Sequence, residues 1–528
     1  MKYWWLRAIL FLSFGILLVT VMKLNLIEGS YYRQLALNNK LTKKTIPAQR
    51  GEILDRKGRT IAENVDFDGV TKRFYPYGVS TSDITGYLGS VNQNELKDGK
   101  CGKNLNNQSL VGRAGVEDTL DCELMGTDGY KLIEVDAKGK STRDLGQLDP
   151  VNGNEVTLSI DAYWQDKIYK MLLGKKAVVI MSEPSTGKIL ALVSSPSYDA
   201  NNFTYSYDKD TINSYLEDTK NLPMINRAIG ALYHPGSVFK PIEALGGLED
   251  GTIDENTEFD DTGVIKIGDY SFNNWLWTQD GRTDGMISVV KAIKRSNDIF
   301  FYKLGEAMGV DKIKFWAMKF GLGETTGIEL PGEASGLVPD DQWKIKNSGD
   351  RWFLGDTYHL AIGQGDLLVT PLQINQETNI VATGGQKCQM SLLENSKVVC
   401  TTVQAKAENW NLVKEGMKEA CQPGGTAWPL FNFKTSIACK TGTAELGDGS
   451  NDSHAWLTAF APADNPQVSI TVIVERGGEG SDVAAPIVGD ILKEWFNEPN
   501  TVVPRYSTYP FTIPKDTSLS SPAKGQGD

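Results

Sequence analysis

The sequence predicts an α+β protein: an antiparallel five-stranded sheet flanked by helices, preceded by a separate N-terminal module and one membrane-spanning helix. Three observations predict it. Residues Ala8 to Met22 are almost purely apolar. The apolar runs Ala177 to Met181 and Ile189 to Val193 are joined by Pro184-Ser185-Thr186-Gly187, which reads as a hairpin. Beyond a mainly helical stretch from Asn226 to about Ala420, three more strands follow, Thr435 to Leu446, His454 to Ala461 and Val468 to Glu475, with an amphipathic helix from Ala485 to Phe496.

The apolar segment comes first. Lys2, Trp4, Trp5 and Arg7 precede it and Lys23 follows. With the interfacial tryptophans its length approaches the ~20 residues a bilayer requires. Lys2 and Arg7 favour a cytoplasmic N-terminus with the rest exported. A cleaved signal peptide is the competing reading, but no small-x-small site follows; the next residues are Leu24-Asn25-Leu26-Ile27-Glu28. A retained anchor over residues 1–23 is expected in the lipid bilayer. Export allows the six cysteines, Cys101, Cys122, Cys388, Cys400, Cys421 and Cys439, to pair. Spacing leaves the connectivity open, with sequential pairing, and above all Cys388 with Cys400, the expectation. The chain has no Cys-x-x-Cys and its three histidines are scattered, so no metal is expected, and no cofactor. A net charge of −12 over 528 residues argues against nucleic acid as the main partner.

Residues 24–165 read as a module of their own. Tyr31 to Lys40 is polar and amphipathic; Gln49 to Ala62, with Arg50-Gly51-Glu52-Ile53-Leu54-Asp55-Arg56, reads as strand, glycine turn and strand. No catalytic constellation is visible there, and its charged pairs suit solvated turns. Residues 166–497 form the compact α/β domain. The tail 498–528, with Pro504, Pro510 and Pro514, has the composition of a disordered segment.

The chemistry concentrates in the second domain. In His234-Pro235-Gly236-Ser237-Val238-Phe239-Lys240 a serine opens a helix and a lysine follows one turn later, on the same face. A serine hydroxyl is a poor nucleophile until a base takes its proton, and a lysine made neutral in a dry cleft can be that base. The same spacing occurs at Ser185/Lys188, Ser206/Lys209, Ser288/Lys291 and Ser521/Lys524, but there the setting is a turn, a polar loop, a surface helix and the tail. Ser237 acting only as a helix cap is the plain structural alternative. Two further motifs shift the balance: Arg295-Ser296-Asn297-Asp298 ahead of an apolar run, and Lys440-Thr441-Gly442-Thr443, whose Lys-Thr-Gly occurs once. Ser-x-x-Lys, a Ser/Asp/Asn triplet and Lys-Thr-Gly, in that order, form a signature of penicillin-binding proteins and class A β-lactamases.

With the anchor, the Arg-Gly-Glu-Ile-Leu-Asp-Arg module and this series, the chain resembles a class B penicillin-binding protein. Gly187-Lys188-Ile189, Glu329-Leu330-Pro331-Gly332, Gly363-Gln364-Gly365, Gly425-Thr426-Ala427 and Ala455-Trp456-Leu457 carry the likeness further. The resemblance implies the penicillin-binding transpeptidase fold, with 24–165 as its pedestal or dimerisation domain. It also implies a single-pass D,D-transpeptidase that cross-links peptidoglycan and is a target of β-lactams. Ser237 would attack the penultimate D-alanine of a stem peptide with Lys240 as base. Lys440 would supply a positive field, Ser296 would relay protons, and Thr441 and Thr443 would hold the substrate carboxylate beside Gly442. The N–H groups of Ser237 and Thr443 would form the oxyanion hole, worth ~3 kcal/mol per donor. The family pattern Ser-x-Asn is here Ser296-Asn297-Asp298; Asp298 takes the third place, which favours the elongation-type subgroup and alters the surroundings of Lys240. A plain helix cap at 296–298 is the alternative. His454, Trp456, Trp275 and Trp277 are read as packing or cleft wall. A membrane glycosyltransferase and other wall-synthesis proteins are the partners implied. The rival activities are a carboxypeptidase or β-lactam sensor, and a non-catalytic membrane scaffold.

Overall fold

The computed structural model describes residues 3–103, 105–135, 140–447, 450 and 452–499. The tail expected over 498–528 lies, from residue 500 onward, outside the described residues. The chain forms two compact units: Met1–Gly51 with Lys100–Lys103 and Cys122–Glu155, and Glu52–Gly99 with Asn104–Asp121 and everything from Val156 onward. Residues of the 24–165 module therefore fall in both.

In the first unit the helix Trp4–Met22 runs on through Lys23–Ile27, giving an apolar span with mean hydropathy 2.1 and no buried side chain. Its hydroxyls are satisfied within the helix: Ser13 donates to the Leu10 carbonyl and Thr20 to that of Ile16. A helix apolar on every side with its polar groups internally bonded suits lipid. Leu41–Ile46, Gly129–Val135 and Ser141–Leu148 form a three-stranded antiparallel sheet, and Cys101 is bonded to Cys122.

The second unit opens with the Ile53–Leu54 and Thr60–Phe67 strands anticipated around the glycine turn. One of the charges there is not solvated. Asp55 is fully buried and accepts from the N–H groups of Lys57, Arg59 and Ala162 and from Arg59 Nε at 2.7 Å. Four hydrogen bonds to one carboxylate make this motif a structural clamp.

The main sheet comprises β1 (Ala177–Ser182), β2 (Ile189–Ser195), β3 (Ala438–Glu445), β4 (Ser453–Ala461) and β5 (Val468–Val474), in the order β2-β1-β5-β4-β3 and antiparallel throughout. The hairpin and the three late strands stand where the apolar runs predict them. Four helices matter for the site: α1 (Lys240–Glu249), α2 (Asp298–Met308), α3 (Pro371–Thr383) and α4 (Gly480–Trp495). On one sheet face Val179, Met181, Leu457, Ala459, Ile470 and Val472 pack with Ala484, Val488, Ile491 and Leu492 of α4. The alternate residues face α3. There Ser182, Thr458, Ser469 and Thr471 meet Asn375, Thr378 and Asn379 in a buried hydrogen-bonded seam.

Two departures stand out. The helical middle contains three short ribbons among the described residues, Glu258–Asp261 with Gly285–Ser288, Val264–Ile267 with Tyr270–Asn273, and Gln386–Cys388 with Cys400–Thr402. Their strands, three or four residues long, are too short for a periodic pattern to register. Helix α4 begins at Gly480, not Ala485: Pro486 lies inside it, and Gly480 reads as a breaker. The remaining cysteines pair in sequence, Cys388 with Cys400 and Cys421 with Cys439.

Candidate active site

Ser237 sits in a 3₁₀ turn, Gly236–Phe239, that runs directly into α1 at Lys240. Residues three apart eclipse on such a turn, which places Lys240 under the serine. The rival Ser-x-x-Lys pairs are accounted for otherwise. Ser185 lies in the Glu183–Lys188 turn, Ser206 bonds Asn201 and Asn202, and Ser288 precedes the helix Val289–Arg295. Ser521 lies outside the described residues.

Lys240 is fully buried, and its ammonium donates to Asp298 Oδ1 at 2.7 Å, to the Ser296 carbonyl at 2.9 Å and, more distantly, to Ser296 Oγ at 3.5 Å. Lys440, on β3 and equally buried, donates to Ser296 Oγ at 2.8 Å and to the Thr441 carbonyl at 2.9 Å. Ser296 therefore stands between the two amines. Burial, reinforced by the neighbouring charge of Lys240 and only partly offset by Asp298, pushes the Lys440 amine well below the usual lysine range. One carboxylate serves two buried amines. The ammonium of Lys240 has that carboxylate, and Lys440 has none.

The loop holding Ser296 is built with care. Ser296 is left-handed, φ 55°, ending one helix, and Asn297 caps α2 by accepting from Phe300 N–H. The Asn297 amide is anchored on Asp261 Oδ2 at 2.8 Å. Asp298 is gripped by the N–H of Trp275 at 3.0 Å, while its own N–H donates to Asn274 at 3.1 Å. So 296–298 do cap a helix, and the same cap delivers Ser296 and Asp298 to the lysines. Asn274, Asp261 and the buried Arg295–Asp284 pair escaped the sequence reading. Asp261 lies on a ribbon strand, Asn274 and Asp284 flank one, and Arg295 ends the helix Val289–Arg295, so they meet only in three dimensions.

A cavity of about 780 Å³ opens over this cluster, lined by Ser237, Ser296, Asp298, Thr441, Gly442 and Thr443 among others. β3 is the sheet's edge strand, so its free side borders the cavity. Thr441 shares a 2.7 Å hydrogen bond with Thr426, and Thr443 donates to Glu479 Oε2 at 2.7 Å. A Cβ on Gly442 would lie 3.0 Å from Val238 and 3.1 Å from Trp456, so a larger residue would push β3 off the serine turn. Trp275 lines the cavity, whereas Trp277 packs on Gly263. Trp456 is fully buried and donates to the His234 carbonyl at 3.1 Å; His454 meets the Tyr233 ring edge-on. The Cys421–Cys439 bond fastens the residue before Lys440 to the loop carrying Gly424 and Thr426, and Arg295 donates to the Gly424 carbonyl. Among the described residues no cluster suits a metal ion.

A serine on a helix-opening turn, two buried lysines and an open strand edge, set on this sheet, define an active-site-serine acyl-transfer protein. Known proteins narrow the class. The model of the penicillin binding protein transpeptidase domain matches residues 177–493, and that of the penicillin-binding protein dimerisation domain matches residues 64–158. The chain belongs to the penicillin-binding protein transpeptidase family. It is 35% identical over 456 residues to the peptidoglycan D,D-transpeptidase MrdA of Acinetobacter baumannii, covering 80% of this chain and 66% of that one. The chain thus spans about two thirds of that relative's length. Among solved structures it resembles the penicillin-binding protein PBP2 of Helicobacter pylori, solved in complex with MreC: TM-score 0.78, 28% identity, 87% of this chain and 99% of that one. It also resembles Pseudomonas aeruginosa PBP2 in complex with WCK 5153: TM-score 0.75, 32% identity, 89% of this chain and 100% of that one.

Proposed function

We propose that this chain is a membrane-anchored peptidoglycan D,D-transpeptidase working through an acyl-enzyme on Ser237. The observation that carries it is the linked set Lys240, Ser296 and Lys440 beneath a serine that lines the same cavity as Thr441, Gly442 and Thr443. Ser237 Oγ attacks the carbonyl of the penultimate D-alanine of a stem peptide. Lys240 takes the serine proton as its own passes through Ser296 Oγ to Lys440, whose amine is the proton-poor end of the chain. The N–H groups of Ser237 and Thr443 face the developing oxyanion. The peptide C–N bond breaks, the relay returns a proton to the departing D-alanine amine, and an ester remains on Ser237. The amine of a second stem peptide attacks that ester, the serine leaves, and its proton comes back by the same route. Asp298 holds the Lys240 side chain in place through its 2.7 Å hydrogen bond.

β-Lactams acylate Ser237 by the same attack. The domain division 24–165 and 166–497 is the working assignment for pedestal and transpeptidase. The apolar helix supports an anchor in the cytoplasmic membrane with the catalytic domain outside it. A membrane glycosyltransferase that makes the glycan strand is the partner chemistry most in keeping with this role; the Helicobacter relative's complex with MreC points to wall-synthesis assemblies more generally.

Intact-mass measurement after penicillin treatment tests the reading. One covalent adduct is expected on the wild type and none on Ser237→Ala. With a stem-peptide substrate, dimers indicate transpeptidation, and D-alanine release without dimers indicates a carboxypeptidase. Absence of any adduct on the wild type supports the scaffold instead.

A further inference from the structure

The hydroxyl of Thr443 is already engaged. It donates at 2.7 Å to Glu479 Oε2, while Glu479 Oε1 accepts from Gln279 Nε2 at 3.5 Å, so this carboxylate bridges two walls of the cavity mouth. Its place is fixed by the backbone. Gly480 is buried, and a Cβ there would lie 2.1 Å from the Trp456 carbonyl and 2.5 Å from that of Gly442, so the chain presses against β4 and β3 as α4 begins. The residue before it is thereby held beside the Lys-Thr-Gly-Thr strand. The charge setting is one-sided: Glu445, Glu479, Asp482 and Asp298 line the cavity, and among the described residues no lysine or arginine does, since Lys240 and Lys440 lie buried behind it. Asp482 is itself tied to Trp428 Nε1 at 3.0 Å.

We propose that Glu479 is a specificity residue that opposes anionic acyl donors by occupying the Thr443 hydroxyl and repelling a carboxylate brought to it. The inference rests on the transpeptidase reading, in which Thr443 holds the donor's terminal carboxylate. A donor carboxylate and Glu479 compete for one O–H, and the two like charges meet at close range. A neutral donor meets no such opposition. Because Glu479 is exposed, the effect is of modest size and screened by salt.

The test is acylation of the full-length protein in detergent by a fluorescent penicillin, which carries a carboxylate, and by its methyl ester, which does not. In Glu479→Gln the amide oxygen can still accept from Thr443, but the charge is gone. The penicillin is expected to acylate this variant roughly threefold to tenfold faster than wild type at low salt, with the gain shrinking as salt rises, while the ester rates agree within about twofold. Glu479→Ala is expected to show the same gain. Equal penicillin rates in wild type and both variants overturn the assignment, as does a gain shared by the ester. Each of those leaves a labelled wild type. An unlabelled wild type overturns the transpeptidase reading and this inference with it.

Discussion

The second unit buries polar groups in two places and treats them in opposite ways. Between α3 and the sheet, Ser182, Asn375, Thr378, Asn379, Thr458, Ser469 and Thr471 form a neutral seam in which hydroxyls and amides satisfy one another. At the far edge of the same sheet, Lys240, Asp298 and Lys440 form a charged cluster with one carboxylate for two amines. A satisfied neutral network costs little to bury and pins strand register. A charged cluster is costly to bury, and that burial, with the Lys240 charge beside it, appears as the lowered proton affinity of Lys440. One network holds the sheet in place, and the other is the set to which the proposed proton relay is assigned.

The comparison breaks most visibly at Lys440. Lys440→Met should lower penicillin acylation by roughly a hundredfold to ten-thousandfold, the span of a lost proton-transfer group. It should leave the melting temperature unchanged or higher, because a buried amine without its own counter-ion is replaced by hydrocarbon. A large fall in melting temperature would show that Lys440 is structural. Next is Asp298→Asn, which strips Lys240 of its carboxylate while preserving shape. Losing one partner of a buried pair costs about 3 kcal/mol, to be read from denaturant unfolding, and acylation should fall with it.

In the seam, Asn379→Ala should do the reverse of Lys440→Met. It removes the amide's hydrogen bonds to Ser182 and Ser469, which stay bonded to each other and to Asn375, and at ~1 kcal/mol for each lost bond should cost about 2 kcal/mol, while acylation stays within about twofold of wild type. A smaller cost would mean water takes over the amide's bonds. The smallest effect concerns Glu377, on the seam helix and 2% exposed, whose carboxyl is pushed well above its usual 4.5 by burial. As pH rises past 4.5 the unfolded chain loses this proton and the folded chain keeps it, so stability from this group falls with rising pH until the folded carboxyl ionises. Glu377→Gln should flatten that slope, which is at most about 1.4 kcal/mol per pH unit for one group, as seen in unfolding at pH 5, 6.5 and 8. An unchanged slope would place the ionisation elsewhere.

These contrasts also explain what could be read before any coordinates. The strands of the sheet are apolar runs bounded by turns, and each reactive group lies in a contiguous tetrad, so Ser237 with Lys240, Ser296 with Asp298, and Lys440 with Thr443 were legible. The seam was not: a serine or asparagine within an apolar strand or helix looks the same whether it faces water or another amide. Asp55 misled for the same reason, since a carboxylate beside Arg56 and Arg59 in a glycine turn reads as solvated, yet it is the buried acceptor of four hydrogen bonds. Glu479, Asn274 and Asp261 lie far along the chain from the groups they hold, and no local period announces such meetings.

The Cys421–Cys439 link has a consequence for when the molecule becomes competent. It ties the residue beside Lys440 to the loop that carries Thr426 and receives Arg295, so one edge of the cleft is finished by a covalent step rather than by packing alone. Reduction of that bond would leave this edge to the Thr426–Thr441 and Arg295–Gly424 hydrogen bonds alone, so reactivity toward acyl donors is expected to depend on the redox state of the pair.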